Sequence, residues 1–376
     1  MPKIESDRIT FLPADRYAVE EQSPGITPAK YTVLFNGAIK EGDTTKYFKF
    51  LEEIAEKDAD ILHTLETRSS YVSSKGWTIE GDNEGDAQKI EDALREIPGD
   101  TAEGLLTVDD LVKSLIGSTY LVGLSFSEIV SDNNKILGFN HIPAHFLTFN
   151  DATTYPKLWT QDKPTGVEFN RLKMISHYAT TGIDPARGWL GNAISWLYVL
   201  KRTALEAKMQ FQSKYGKGFL LLNMPGDKDS YEQAWQNAED LIENYANVDG
   251  AVFPADVKVD FKETNGSLNG QYFFDVEDSL KKSIVQVILG QDSTSSSESS
   301  NRSTAEVHME VLEQRILEDI AGIEDTLTSQ LVIRVMQVLG VTGQYKFTIG
   351  RTELEEDLDE DTDIEDTVVE TIQEDE

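Results

Sequence analysis

The side chains best placed to do chemistry in this chain are carboxylates, hydroxyls and five histidines; cysteine is absent. Near the C-terminus Asp359, Asp361, Asp363 and Glu370 fall at positions 1, 3, 5 and 12 of a calcium loop. Position 6 is Ile364, where the sharp turn of such a loop needs glycine. The pattern reads as a solvated acidic tail, with a calcium site as the sharper alternative. His141 and His145 are four apart, but Pro143 lies between them, so they do not share a regular helical face. They read as surface or packing residues before they read as a metal pair. Gly123-Leu124-Ser125-Phe126-Ser127 lacks the second glycine of a nucleophile elbow. Gly216-Lys217-Gly218 ends like a phosphate loop, but residue 218 is not Ser or Thr and residue 211 is Phe, so the match fails. Without cysteine there is neither a disulfide framework nor a thiolate metal site, which suits a reducing cytoplasm.

Another stretch carries hydroxyls in place of a catalytic set. An apolar segment ends at Ile288-Leu289-Gly290, and then come Gln291, Asp292, Ser293, Thr294, Ser295, Ser296, Ser297, Glu298, Ser299, Ser300, Asn301, Arg302 and Ser303. A serine-rich run between two helices does not pack as core; it is either disordered or built to touch something that moves. The formal charge of -33 argues against a basic grip on nucleic acid. It leaves room for a wall that a duplex slides past. The N-terminus has no apolar core, which predicts no secretory leader, and no apolar run approaches the roughly 18 residues of a membrane span.

These segments are positioned by a mixed set of elements. Residues 1–45 are polar, with Pro, Gly and Thr interspersed, and predict an extended or partly ordered arm. Tyr47, Phe50, Leu51, Ile54, Ile61, Leu62 and Leu65 predict one helix over 44–70, then a strand over 71–80. Arg68, at the end of that helix, reads as half of a local ion pair worth less than about 1 kcal/mol. An acidic helix over 84–97 stops at Pro98-Gly99. Thr107 and Asp110 suit the N-cap and N3 positions of a helix running towards residue 120. Strand patterns follow at 123–130, 136–141, 146–149, 157–158 and 174–178, so residues 71–180 are α+β.

Turn chemistry over 182–188 leads into a long helix from Trp189 to about Tyr215. Trp189 and Trp196 serve packing there, not ligand stacking. A strand at 219–222, a helix capped by Asp229-Ser230 and running to Tyr245, and strands at 250–253 and 257–261 form a small βαββ unit over 216–264. A helix over 274–289 then reaches the serine-rich run. The last helix, 304–340, carries a stripe from Val307, Val311 and Leu312 through Ile316, Ile320, Ile323, Leu327 and Leu331 to Val335 and Val338. Residues 345–349 suit a short strand, and 352–376 hold 14 acidic and no basic residues. There is no internal repeat, and the fold class is α+β.

This order of elements resembles phage portal proteins, specifically the Mu-like portal family. Local motifs agree: Asp60-Ile61 with Glu66-Thr67-Arg68, Val72 and Trp77; Gly123, Ser125 and Glu128-Ile129; Gly188 through Trp196 and Lys201 to Tyr215-Gly216. A fourth block is Ile288-Leu289-Gly290-Gln291 with Ala305-Glu306-Val307-His308. Two departures stand out. Lys217-Gly218 replaces the proline-containing strand start usual in the family, and after residue 340 only a short, mostly acidic stretch remains.

The resemblance implies a portal fold in a ring, commonly of twelve subunits. Residues 1–188 would form the wing with its N-terminal arm, 189–215 a stem helix, 216–264 the clip, and 265–290 a turn and returning stem helix. Residues 291–303 would form the tunnel loop, 304–340 a long wing helix and 341–376 a reduced crown with the acidic tail. The residues from Gln291 to Arg302 would face DNA. Tyr231, Trp235, Asp240, Glu243 and Asp249 would dock partners on the clip. The resemblance implies no catalysis and no cofactor, ATP hydrolysis belonging to a partner motor. Partners would be further copies of the chain, double-stranded DNA passing without sequence specificity, the terminase large subunit, neck or adaptor proteins and the major capsid protein, with no membrane. The place would be the capsid vertex of the virion, after assembly in the host cytoplasm.

Charge is compatible with a conduit. Each phosphate neutralised by Lys or Arg adds affinity, and so friction, through counterion release. The serine-rich run has one basic residue, Arg302, against Asp292 and Glu298. Twelve chains of -33 would carry roughly -400 charges, repelling DNA from the walls, though screening beyond about 10 Å leaves only the lining to matter. Two other readings remain. Another ring-forming virion component, such as a neck or adaptor protein, is usually shorter and lacks the stem–clip–stem order. A carboxylate-based metal-dependent hydrolase would need acids gathered in a site, whereas these lie mostly on solvated helices or in the tail.

Overall fold

The computed structural model describes residues 3–4, 9–10, 20–100, 102–132, 135–149, 155–179, 187–215, 219–223, 229, 232–244, 258–262, 271–290 and 302–350. The chain divides into two compact units, residues 1–199 with 282–376, and residues 200–281.

In the first unit, β1 (Lys3–Ile4) pairs with β2 (Ile9–Thr10). The Ile9 peptide is held by side chains: its N–H donates to the buried Glu128 carboxylate at 2.7 Å, and its carbonyl accepts from Asn140 Nδ2 at 2.9 Å. Residues 20–45 are not the arm that their polarity suggests. They include α1 (Pro28–Asn36), capped by Thr27 with proline in its first turn, and they bury Ile26, Tyr31 and Ala38. Proline at a helix start loses only an N–H that would be unpaired there, so this helix needs no strong apolar stripe. The carboxylate of Glu53, which is 2% exposed, accepts from the Gln22 and Ser23 amides.

The helix expected over 44–70 is two helices, α2 (Thr45–Lys57) and α3 (Ala59–Ser73). Asp58 leaves helical geometry at φ -99° and ψ 115° and caps α3 by accepting from the Asp60 and Ile61 amides. An Asp at an N-cap satisfies donors that the helix leaves free, which is why the chain breaks and restarts here. Helix α3 runs to Ser73, so the next strand, β3 (Trp77–Gly81), begins later than the expected residue 71.

After α4 (Glu84–Arg95) and β4 (Leu105–Leu106) comes α5 (Val108–Val122), opened by a full capping box between Thr107 and Asp110. β5 (Leu124–Asp132) and β6 (Lys135–Ile142) follow, then β7 (Leu147–Thr148), β8 (Lys157–Thr160), β9 (Lys163–Val167) and β10 (Met174–Tyr178). The main sheet has the antiparallel order β10-β5-β6-β4, and β7-β8-β9 form a second sheet. Phe126 and Phe139 of the main sheet and Phe50, Leu51 and Ile61 of α2 and α3 are fully buried in one hydrophobic core.

Helix α6 (Trp189–Tyr215) leads into the second unit, where β11 (Phe219–Asn223) pairs with β12 (Lys258–Lys262) and α7 spans Glu232–Asn244. The strand expected at 250–253 lies outside the described residues. Helix α8 (Gln271–Leu289) returns the chain to the first unit.

There α9 (Arg302–Leu327) continues through a π turn (Thr328–Val332) into α10 (Ile333–Leu339). The unbroken helix expected over 304–340 therefore starts two residues earlier and changes pitch. Its stripe explains the change. Ile323, Leu327, Leu331 and Val335 are all buried, each four residues from the last. Three such steps use twelve residues over three turns, where an α-helix takes about 11, and one π turn absorbs the surplus residue. β13 (Tyr345–Ile349) then pairs with β3, burying Tyr345, Phe347 and Ile349.

Candidate functional site

Gln291 to Asn301 lie outside the described residues, and they run from the end of α8 to the start of α9. Arg302 opens α9 and so belongs to helix instead of the expected loop. On the other side, Ile288 and Leu289 are buried. Gly290 closes α8 in left-handed backbone, φ +85°, with its N–H donating to the Gln286 carbonyl at 2.9 Å. A side chain at 290 would be strained by that φ, and its Cβ would stand 2.6 Å from Arg315 Nε.

The last carbonyls of a helix have no partner within it, and two arginines serve those of α8. Arg68 Nη1 donates to the Ile288 carbonyl at 2.5 Å, and Arg315 Nη1 to the Val287 carbonyl at 3.4 Å. Cations at a helix C-terminus also oppose its partial negative charge. Arg68 does more. Its Nε and Nη2 donate to the two Asp319 oxygens at 2.9 and 3.0 Å, and its guanidinium lies 4.0 Å from the Tyr120 ring centroid. The Tyr120 hydroxyl donates to the same carboxylate. One side chain thus joins α3, the end of α8, α9 and α5.

This corrects the reading of Arg68 as half of a local pair: its partner is 251 residues away, and its side chain is only 4% exposed. A charge that deep must be paired and fully hydrogen-bonded. The sequence carried a signal of it, because Ile61, Leu65, Arg68 and Val72 recur at helical spacing with the arginine on the apolar face. Burial pushes the Asp319 carboxyl above its ordinary value, against the opposing pull of Arg68 and the Tyr120 hydroxyl. Burial, and then the Asp319 charge, push the Tyr120 phenol well up, so it stays a donor.

A cavity of about 660 Å³ opens beside this cluster, lined in part by Thr119, Tyr120, His177, Trp189, Arg315 and Asp319. Thr119 Oγ1 is buried there without a hydrogen-bond partner. His177 is buried, with Nδ1 2.8 Å from Thr326 Oγ1, and burial lowers its pKa to about 4. Gly322 on α9 faces the same ring.

Of the other expected site residues, Trp235, Asp240 and Glu243 fall on α7. Trp235 is half-buried and Asp240 exposed, and the Trp235 indole N–H lacks a partner. Tyr231 and Asp249 lie outside the described residues, as do Asp359, Asp361, Asp363 and Glu370. Among the described residues no three His, Asp or Glu side chains converge as metal ligands. His145 is buried, with Nδ1 2.5 Å from Glu52 Oε2.

Residues 48–376 match the family model of the portal protein of Mu bacteriophage. No curated protein matches the chain. Similar solved structures include an HK97 family phage portal protein from Corynebacterium diphtheriae, at 11% identity over 88% of this chain and 96% of that one, with TM-score 0.49. The neck of an empty GTA particle computed with sixfold symmetry matches at 10% identity over 79% of this chain and 83% of its own, with TM-score 0.51. The neck of the native GTA particle computed with twelvefold symmetry matches at 10% identity over 86% and 84%, with TM-score 0.49. At TM-score 0.51 the sixfold neck chain shares the fold.

Proposed function

This chain belongs to the family of portal proteins of Mu bacteriophage, whose place is the capsid vertex, and from that premise we propose that it assembles there as a twelve-membered ring through which double-stranded DNA is packaged and ejected. The observation that carries this reading is the extent of the family match. It runs from residue 48 to residue 376 and includes most of the first compact unit, all of the second and both helices that flank the serine-rich segment.

In this reading residues 291–301 line the lumen, and the root at the end of α8 is held by the two arginines described above. The hydroxyls touch phosphates, and the scarcity of cations keeps counterion release, and so friction, small. Residues 216–264 form the clip that meets the terminase motor and later the neck or adaptor proteins, with Tyr231, Trp235, Asp240, Glu243 and Asp249 as candidate contacts. The wing contacts the major capsid protein. The ring is a passive conduit in which hydrolysis belongs to the motor.

Negative-stain microscopy of the purified protein tests the assembly, and rings of about twelve units with an axial hole are the expected result. A compact monomer under every condition would sink the proposal. Replacing Ser295, Ser296 and Ser297 with lysine should leave rings intact and slow or stall packaging, because each added cation strengthens phosphate binding. Unchanged genome filling in rings carrying all three lysines would remove the lumen assignment of that segment.

A further inference from the structure

We propose that Arg68 is a positioning residue: it makes the end of α8 and the middle of α9 a single pivot on α3, and thereby sets where the two ends of segment 291–301 stand. The proposal deepens the reading of that segment as the duplex-facing loop and rests on it only for its consequence for DNA.

The pivot holds the two ends unequally. The N-terminal end of the segment begins just after Gly290, two residues beyond the carbonyl that Arg68 grips. The C-terminal end is Arg302, the first residue of α9, whereas the ion pair is made at Asp319. Seventeen residues of helix place Arg302 about 25 Å along the axis from that contact. A rotation of about 10° at Asp319 would therefore carry Arg302 through about 4 Å while Gly290 stayed nearly still. Arg315, one turn before Asp319, stands beside Gly290 and reaches the Val287 carbonyl, so α9 is tied to the end of α8 at Arg315 as well as through Asp319.

The chemistry requires arginine. Its planar fork supplies two parallel donors to Asp319, a further donor to Ile288 and a flat face to the Tyr120 ring. A lysine keeps the charge but presents a point ammonium, which cannot make these contacts together. Tyr120 completes the set by holding Asp319 from the other side.

The test is hydrogen exchange on the assembled full-length protein, comparing wild type with Arg68→Lys. Peptides over 284–290 and 309–322 report the pivot, and peptides over 77–81 and 345–349 report the rest of the wing. We expect protection at the pivot to fall about tenfold or more with little change in the β3–β13 pair, because local opening is separable from global unfolding. Unchanged pivot protection, or an equal loss in both regions, overturns the proposal, since a merely structural contact loosens the whole unit. If Arg68→Lys does not assemble, Tyr120→Phe removes only the hydroxyl held on Asp319. A smaller loss confined to the same pivot peptides, about threefold, is then expected, and an unchanged or unit-wide response again overturns it. DNA packaging by the same rings separates the two ideas. Looser pivot peptides with normal packaging would keep the pivot and remove the loop's contact with DNA.

Discussion

The two compact units hold themselves together by different means. In residues 1–199 with 282–376, buried polar side chains reach across long stretches of sequence. Arg68 binds Asp319 and the end of α8. Glu324, fully buried, accepts from the Ile349 amide at 2.9 Å and pairs with Lys346. The Gln330 side chain mimics a strand, bonding both the N–H and the carbonyl of Ser176 at 2.8 Å along the edge of β10. In residues 200–281 the described ties are shallower. Lys208 meets Glu277 at 2.7 Å with the two side chains 24% and 40% exposed, and Tyr272 and Phe274 are 66% and 53% exposed. A buried pair is costly to break because each partner is stranded without water, whereas a surface pair can be exchanged for solvent or another protein at little cost. The first unit is thus built to keep one geometry, and the second has a surface whose contacts can be traded.

The largest effect should come from breaking the Arg68 cluster. Arg68→Met leaves Asp319 buried without its counter-ion and should cost about 3–5 kcal/mol in urea unfolding. Adding Asp319→Leu should recover much of that loss, because a buried pair replaced by apolar groups of similar size is often neutral. A cost below about 1 kcal/mol for the single variant would return Arg68 to a surface pair and erase the contrast between the units.

A second probe uses pH. Burial lowers the His177 pKa to about 4 from its ordinary value of 6.5. The folded protein holds this ring neutral while the unfolded chain protonates it, so its contribution is intact above about pH 6.5 and is lost as pH falls towards 4. Over that window the loss should total about 3 kcal/mol. His177→Gln should flatten the stability profile there relative to wild type. Parallel profiles for the two proteins would show that His177 is hydrated in the folded state.

What could be read in the sequence divides along physical lines. Local rules were legible: the Thr107–Asp110 capping box needs only neighbours three apart, and the long helix from Trp189 to Tyr215 announces itself by period and by flanking glycines. The break at Asp58 was less so, because the apolar spacing continues across it and only the cap marks the restart. The π turn was written in three successive steps of four between Ile323 and Val335, which a stripe viewed as one helix conceals. Of the candidate site, the position of the serine-rich segment was visible. Its anchorage was not, because no local pattern links Arg68 to a carboxylate 251 residues away. The visible trace was a charge on an apolar stripe, which says that a partner must exist without saying which.

Smaller effects sharpen the contrast. Gly290→Ala places a Cβ in left-handed backbone and against Arg315. It should cost about 1–2 kcal/mol from backbone strain alone, visible as a lowered melting temperature. A neutral result would mean that the end of α8 re-forms around an ordinary φ, and that the root is softer than its hydrogen bonds imply.

The smallest change is expected in the second unit and tests the other half of the comparison. Lys208→Ala and Glu277→Ala should each cost no more than about 1 kcal/mol, and the double variant should show a coupling of about 0–1 kcal/mol. Lys208 also lies 3.9 Å from the Phe274 ring centroid, so its loss should slightly exceed that of Glu277. The coupling should shrink as salt rises, because exposed charges are screened. The Arg68–Asp319 coupling, measured in the same way, should stay nearly constant with salt. A large, salt-insensitive coupling at Lys208 would mean that this pair is shielded in the assembled protein, and that residues 200–281 are as firmly fixed as the wing.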